Sequence, residues 1–126
     1  MAKKIVREQF LAFYDAQGSE DIMTTTVFLL GARANVIEDV RAQLNGSGIE
    51  IRSGTGLDEL RAAFAETSVD HVIMGSGLDL EIRLRAVRAI FETSTRTTVH
   101  MKDWDSGPEG YLPFVQAVLT GLHGSA

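Results

Sequence analysis

Three short stretches hold the residue types that could do chemistry. The apolar run Val72-Ile73-Met74 ends in Gly75-Ser76-Gly77, and a helical pattern starts at once. A second apolar run ends in Gly31-Ala32-Arg33. The third stretch is Lys102-Asp103-Trp104-Asp105, with His100 just before it. Glycines let a backbone approach a ligand, helix N-termini favour negative charge, and Arg33 and Lys102 could hold an anion. Two carboxylates and an imidazole in the third stretch could serve acid–base work or a magnesium ion. The candidate ligand site is therefore Gly31, Arg33, Gly75, Ser76, Gly77 and Lys102, flanked by Gly54-Thr55-Gly56.

Each stretch also has a plainer reading. Glycine is a common way to turn tightly out of a strand, and Glu38, Asp58 and Asp79 would stand near the site and repel an anion. No dinucleotide fingerprint is present: Gly31-Ala32-Arg33-Ala34-Asn35 lacks the second and third glycines, and Ser53 stands where a ribose-binding acid belongs. A Gly-x-x-x-x-Gly-Lys-Ser/Thr loop is missing as well. The stretch 102–105 is polar enough for a solvated loop, with Trp104 covering the end of the core. No Gly-x-Ser-x-Gly anchors a Ser-His-Asp set. His71 opens a strand at the end away from the usual site and reads as structural, and His123 sits in a Gly-Ser-Ala tail.

The elements that must position these residues alternate regularly. Strands are expected over 25–30, 49–52, 70–74 and 97–102, and helices over 36–45, 56–66, 77–93 and about 109–122. Such alternation implies a parallel sheet with helices on both faces. Runs 27–30 and 72–74 are continuously apolar, as strands buried on both faces are, whereas 49–52 and 98–102 alternate. Strands 1 and 3 are then central, and the expected order is 2-1-3-4 in a doubly wound three-layer α/β sandwich. Asn35 with Glu38, Thr55 with Asp58, and Ser76 with Asp79 have the spacing of capping boxes. Ser106 with Glu109 repeats it, but Pro113 belongs in a first helical turn, so the loop before the last helix is longer.

Helix patterns point outward as well as inward. The first helix buries Val36, Ile37, Val40 and Leu44, and the second Leu57, Leu60 and Phe64. In the third, Leu80, Leu84, Val87 and Phe91 form one stripe, which Ile82, Ala86, Ala89 and Ile90 extend well round the helix. A surface helix needs an apolar stripe of roughly 100°. The surplus either packs on something besides its own sheet, such as another subunit, or consists of small alanines and one exposed isoleucine. Residues 1–22 read as a separate amphipathic helix and linker, with Val6, Phe10, Phe13 and Tyr14 on one face, ahead of a domain spanning 23–126. That helix folds back on its own domain or docks on a partner, and Met23 could begin a shorter product.

Composition bounds the function. A chain of 126 residues fits one core, and its 44% hydrophobic and 23% charged residues suit a globular protein. A net charge of −5 argues against a nucleic-acid surface. No long apolar span or signal-peptide pattern occurs, so a cytoplasmic protein that does not engage a membrane is expected. Zero cysteines exclude disulfides, thiol catalysis and thiolate metal sites. The three histidines have no metal-ligand spacing, so neither a metal nor a cofactor is expected.

The alternation over roughly 24–122, with Asp70-His71-Val72-Ile73-Met74-Gly75 as third strand, resembles the response-regulator receiver domain, a flavodoxin-like fold found in bacterial-type signalling. Receivers phosphorylate an aspartate at the end of that strand, where this chain has Gly75. They bind magnesium with an acidic pair after strand one, where Gly31-Ala32 stands. Lys102 or its neighbour stands where strand four ends in Ser/Thr, and the fifth strand with its lysine is missing. The resemblance implies a degenerate receiver-like module that signals by contact. Without those acids, phosphoryl transfer has neither nucleophile nor metal. The leading expectation is a non-catalytic regulatory or interaction module that forms a homodimer. The alternative is a small nucleotide- or phosphometabolite-binding protein using the six site residues above. A hydrolase using Asp103, Asp105 and His100 ranks third.

Overall fold

Strand β1 (Thr25–Leu30) carries no charged side chain, and from Thr26 onward every residue in it is buried. Strand β3 (His71–Met74) is as apolar after its first residue. Such strands are stable only where both faces are covered, and they take the centre of a four-stranded parallel sheet of order β2-β1-β3-β4. The flanking strands are β2 (Ile49–Gly54) and β4 (Thr98–Met101), where apolar and polar side chains mix. The expected order 2-1-3-4 is the observed one. The computed structural model describes residues 24–44, 48–75 and 77–124. The expected amphipathic helix and linker over 1–22, the Gly46-Ser47 helix end and Ser76 lie outside the described residues.

Strand alternation sends side chains to two cores. Val27, Leu29 and Ile73 pack with Ile37 and Val40 of α1 (Ala34–Gln43) and with Tyr111, Val115 and Leu119 of α4 (Tyr111–Gly124). Phe28, Leu30, Val72 and Met74 pack with Leu60 and Ala63 of α2 (Leu57–Glu66) and with Ala86 and Ile90 of α3 (Leu80–Thr93). The result is three layers, α1/α4, sheet, α2/α3. Each large apolar side chain buried in them contributes about 1.5–3 kcal/mol. Among the described residues no helix is long and apolar enough to cross a membrane.

The strands also end together. Leu30 is level with Gly54 and with Met74, and Met74 with Met101. Gly31, Thr55, Gly75 and Lys102 therefore leave the sheet at one height, and this is the end where the order reverses between β1 and β3.

Helix entries differ from the expected capping boxes. Helix α1 starts at Ala34 with Arg33 at its N-cap and no side-chain cap, so Asn35 lies inside the first turn. At α2 the cap carboxylate is that of Glu59, not Asp58: it accepts the Thr55 and Gly56 N–H groups at 2.6 and 3.0 Å. At α3, Asp79 is itself the N-cap and accepts from the Ile82 N–H at 2.9 Å. A 3₁₀ turn over Pro108–Gly110 precedes α4, and Pro113 falls in the first turn of α4, where its missing N–H leaves no bond unmade.

Candidate functional site

A pocket of about 210 Å³ opens at the C-terminal ends of β1 and β3. Four of the six expected site residues, Gly31, Arg33, Gly75 and Gly77, line it together with Val36, Ile37, Trp104, Pro108 and Tyr111. Arg33 is the one charged side chain among the described lining residues, and it forms no ion pair with another described residue. Glu38, Asp58 and Asp79, which the sequence placed near the site, do not line the pocket.

The pocket glycines are explained by close packing. A Cβ on Gly75 would lie 3.2 Å from the Tyr111 ring, and one on Gly31 would lie 3.3 Å from Ile37. Gly77 has φ +93°, a left-handed backbone that side-chain-bearing residues rarely adopt, and a Cβ there would meet Ala32 at 3.1 Å. Tyr111 closes the floor: its hydroxyl donates to the Ile73 carbonyl at 2.6 Å. Burial pushes that hydroxyl far above its ordinary pKa, so it stays protonated and cannot act as a base.

Lys102 stands apart from the pocket. It is 1% exposed, and its Nζ donates to the Asp103 carbonyl at 2.9 Å, with an Asp103 carboxylate oxygen 3.8 Å away. Its stem runs beneath the 3₁₀ turn, 3.0 Å from where a Cβ on Gly110 would lie.

The acids and imidazole of the third stretch serve different partners. Asp103 accepts from the Ser106 hydroxyl at 2.8 Å and from the Ser106 N–H at 2.9 Å. These bonds hold its carboxyl below the usual range. His100 instead shares the Thr98 hydroxyl with His71, its Nε2 at 2.9 Å, and the two rings stand 6.0 Å apart. Burial lowers the His100 pKa. Neither carboxylate hydrogen-bonds to it. Among the described residues no three His, Asp or Glu side chains gather as a metal site would require.

Two features escaped sequence reasoning. Arg83 donates from Nε to the Leu78 carbonyl at 2.9 Å and from Nη1 to that of Lys102 at 3.5 Å, while its guanidinium lies 5.5 Å from the Trp104 ring centre. It ties α3 to the loop after β4, and its Nη2 is buried without a partner. Nothing in the spacing of the sequence marks an arginine for that role. The other is the orientation of α3. Ala86 and Ile90 face the core, with Ile82 and Val87 beside them. Leu80, Leu84 and Phe91, expected to form the main stripe, are 69%, 54% and 55% exposed. The extension of the stripe meets the sheet, and most of the stripe itself is open to solvent.

The chain matches no protein-family model, no curated protein and no solved structure.

Proposed function

We propose that the chain is a non-catalytic regulatory or protein-interaction module of receiver-like architecture that works by self-association. The observation that carries this reading is the exposed row Leu80, Leu84 and Phe91 on one helix. Single exposed apolar residues are ordinary, but a row of large ones beside an unpaired strand edge marks an interaction surface. Among the described residues strand β4 pairs only with β3, so its outer edge offers N–H and C=O groups there. The strand-end positions support a non-catalytic role: Gly75 follows β3 and Gly31-Ala32 follows β1, so neither strand end carries an acid. Sedimentation velocity on the full chain tests this directly. A dimer at micromolar concentration is the expected result, and a monomer across that range removes the reading.

One observation favours a second reading, a small nucleotide or phosphometabolite bound in the pocket: Arg33, which forms no ion pair with another described residue, stands at a concavity located where open α/β sheets bind ligands. A thermal-shift panel of nucleotides and sugar phosphates decides it. A ligand at a hundredfold excess over its Kd adds about 2.7 kcal/mol, and Arg33→Ala abolishes the shift. No shift with any member of the panel eliminates this second reading.

A further inference from the structure

Helix α3 has three sides with different surroundings. Successive residues turn by roughly 100° about a helix axis. Ala86 and Ile90 face the sheet. Ala89 and Thr93 border a groove with Arg61 and Phe64, so α2 lies along one flank. Leu80, Leu84, Val87 and Phe91 fall within a sector of roughly 60° on the opposite flank. Arg83 reaches from the margin of that flank to the Lys102 carbonyl and Trp104, which places the flank beside β4, where the sheet ends. Met101 extends the apolar surface: two residues on from Val99, it shares the α3 side of β4 and is 48% exposed.

We infer that this flank binds the same flank of a second copy of the chain, α3 against α3, antiparallel about a two-fold axis. The inference rests on the interaction-module reading above and names its surface and its partner. Two features select a second copy as the occupant. The stripe 80, 84, 87, 91 has the same spacing read in either direction. Antiparallel pairing therefore sets Leu80 against the second copy's Phe91 and Leu84 against its Val87, and the reciprocal contacts follow from symmetry, as an isologous interface requires. Charge gives the other feature. Arg88 and Glu81 border the stripe on its outer side. In that layering Glu81 lies about two residues, or ~3 Å, along the axis from the second copy's Arg88, and the two-fold makes the opposite-charge pair twice. Within each helix Glu81 already holds Arg85 and Arg88 holds Glu92, so each cross-pair joins two existing pairs into a chain of four alternating charges.

The test is sedimentation of the full chain and its variants. Leu84→Asp and Phe91→Asp are each expected to raise the dimer dissociation constant by at least about 30-fold, equivalent to about 2 kcal/mol, with helicity and melting temperature of the monomer unchanged. Glu81→Arg and Arg88→Glu are each expected to weaken self-association, and an equimolar mixture of the two to recover it as a heterodimer with both cross-pairs restored. A dimer indifferent to Leu84→Asp and Phe91→Asp would overturn this interface while leaving self-association standing. A monomer throughout would overturn both. A monomer that Leu84→Asp destabilises would show the flank covered from within the chain, by the amino-terminal segment with Phe10 and Phe13, and would also overturn the inference.

Discussion

The pocket above β1 and β3 and the outer flank of α3 lie on one small molecule, and their residues are explained in opposite ways. At the pocket, residue types that suggested chemistry are accounted for by packing: Gly75 admits the Tyr111 ring, Gly31 admits Ile37, and Gly77 supplies a left-handed turn. On the flank, residue types that suggested packing are left in water, with Leu80, Leu84 and Phe91 all more than half exposed. A glycine at a strand end needs no ligand to justify it. Three large apolar side chains in a row on a solvent-facing flank are what the proposed self-association rests on, because burying them would contribute free energy that their exposed positions do not.

The comparison can be broken most decisively at Gly75. Placing an aspartate there, as a receiver would have it, sets a Cβ 3.2 Å from the Tyr111 ring and a carboxylate in a buried position. Gly75→Asp is expected to lower stability by at least about 4 kcal/mol, from overpacking plus unpaired charge. Urea denaturation checks it, and a well-folded Gly75→Asp chain would mean that the pocket floor yields. Next in size is Ile90→Ala on the buried side of α3, expected to cost about 3 kcal/mol by leaving a cavity. Tyr111→Phe sharpens the account of the floor. It removes the donor to the Ile73 carbonyl and is expected to cost about 1 kcal/mol in thermal or chemical unfolding.

The smallest effects fall on the exposed side and on β4. Leu84→Ala is expected to change monomer stability by no more than about 0.5 kcal/mol, in contrast to Ile90 on the same helix. For His100, burial lowers the folded-state pKa below 6.5. The unfolded chain then binds the proton first as the pH falls, so this histidine's contribution is intact above about pH 6.5 and is lost as the medium is acidified below it. Unfolding free energies measured between pH 7 and 5.5 should decline, and His100→Gln should flatten that slope.

Much of the architecture was legible beforehand, because the signals are local. Val27-Phe28-Leu29-Leu30 and Val72-Ile73-Met74 have no polar side to show to water, whereas Ile49-Glu50-Ile51-Arg52 does, and that contrast together with right-handed crossovers orders the sheet. Pro113 similarly announced a late start for the last helix. The pocket was legible in part: the strand-end rule brought Gly31, Arg33, Gly75 and Gly77 together, and it failed for Lys102, whose long stem turns inward beneath the 3₁₀ turn. Cap identity failed by one residue at α2, where Glu59 and not Asp58 reaches back to the loop N–H groups. Two adjacent acids differ there only in the direction the helix gives them.

The order of side-chain polarity along the chain determined the strands, their centrality and the parallel three-layer arrangement, since burial of a strand on both faces depends on residue type and little else. Tertiary packing alone decided how α3 is rotated. Two overlapping apolar sectors competed for the sheet, and the one with Ala86 and Ile90 won, both of them buried in the core with Val72 and Met74. That choice turned Leu80, Leu84 and Phe91 outward, and a helical period read in one dimension cannot say which of two apolar sides a third element will accept.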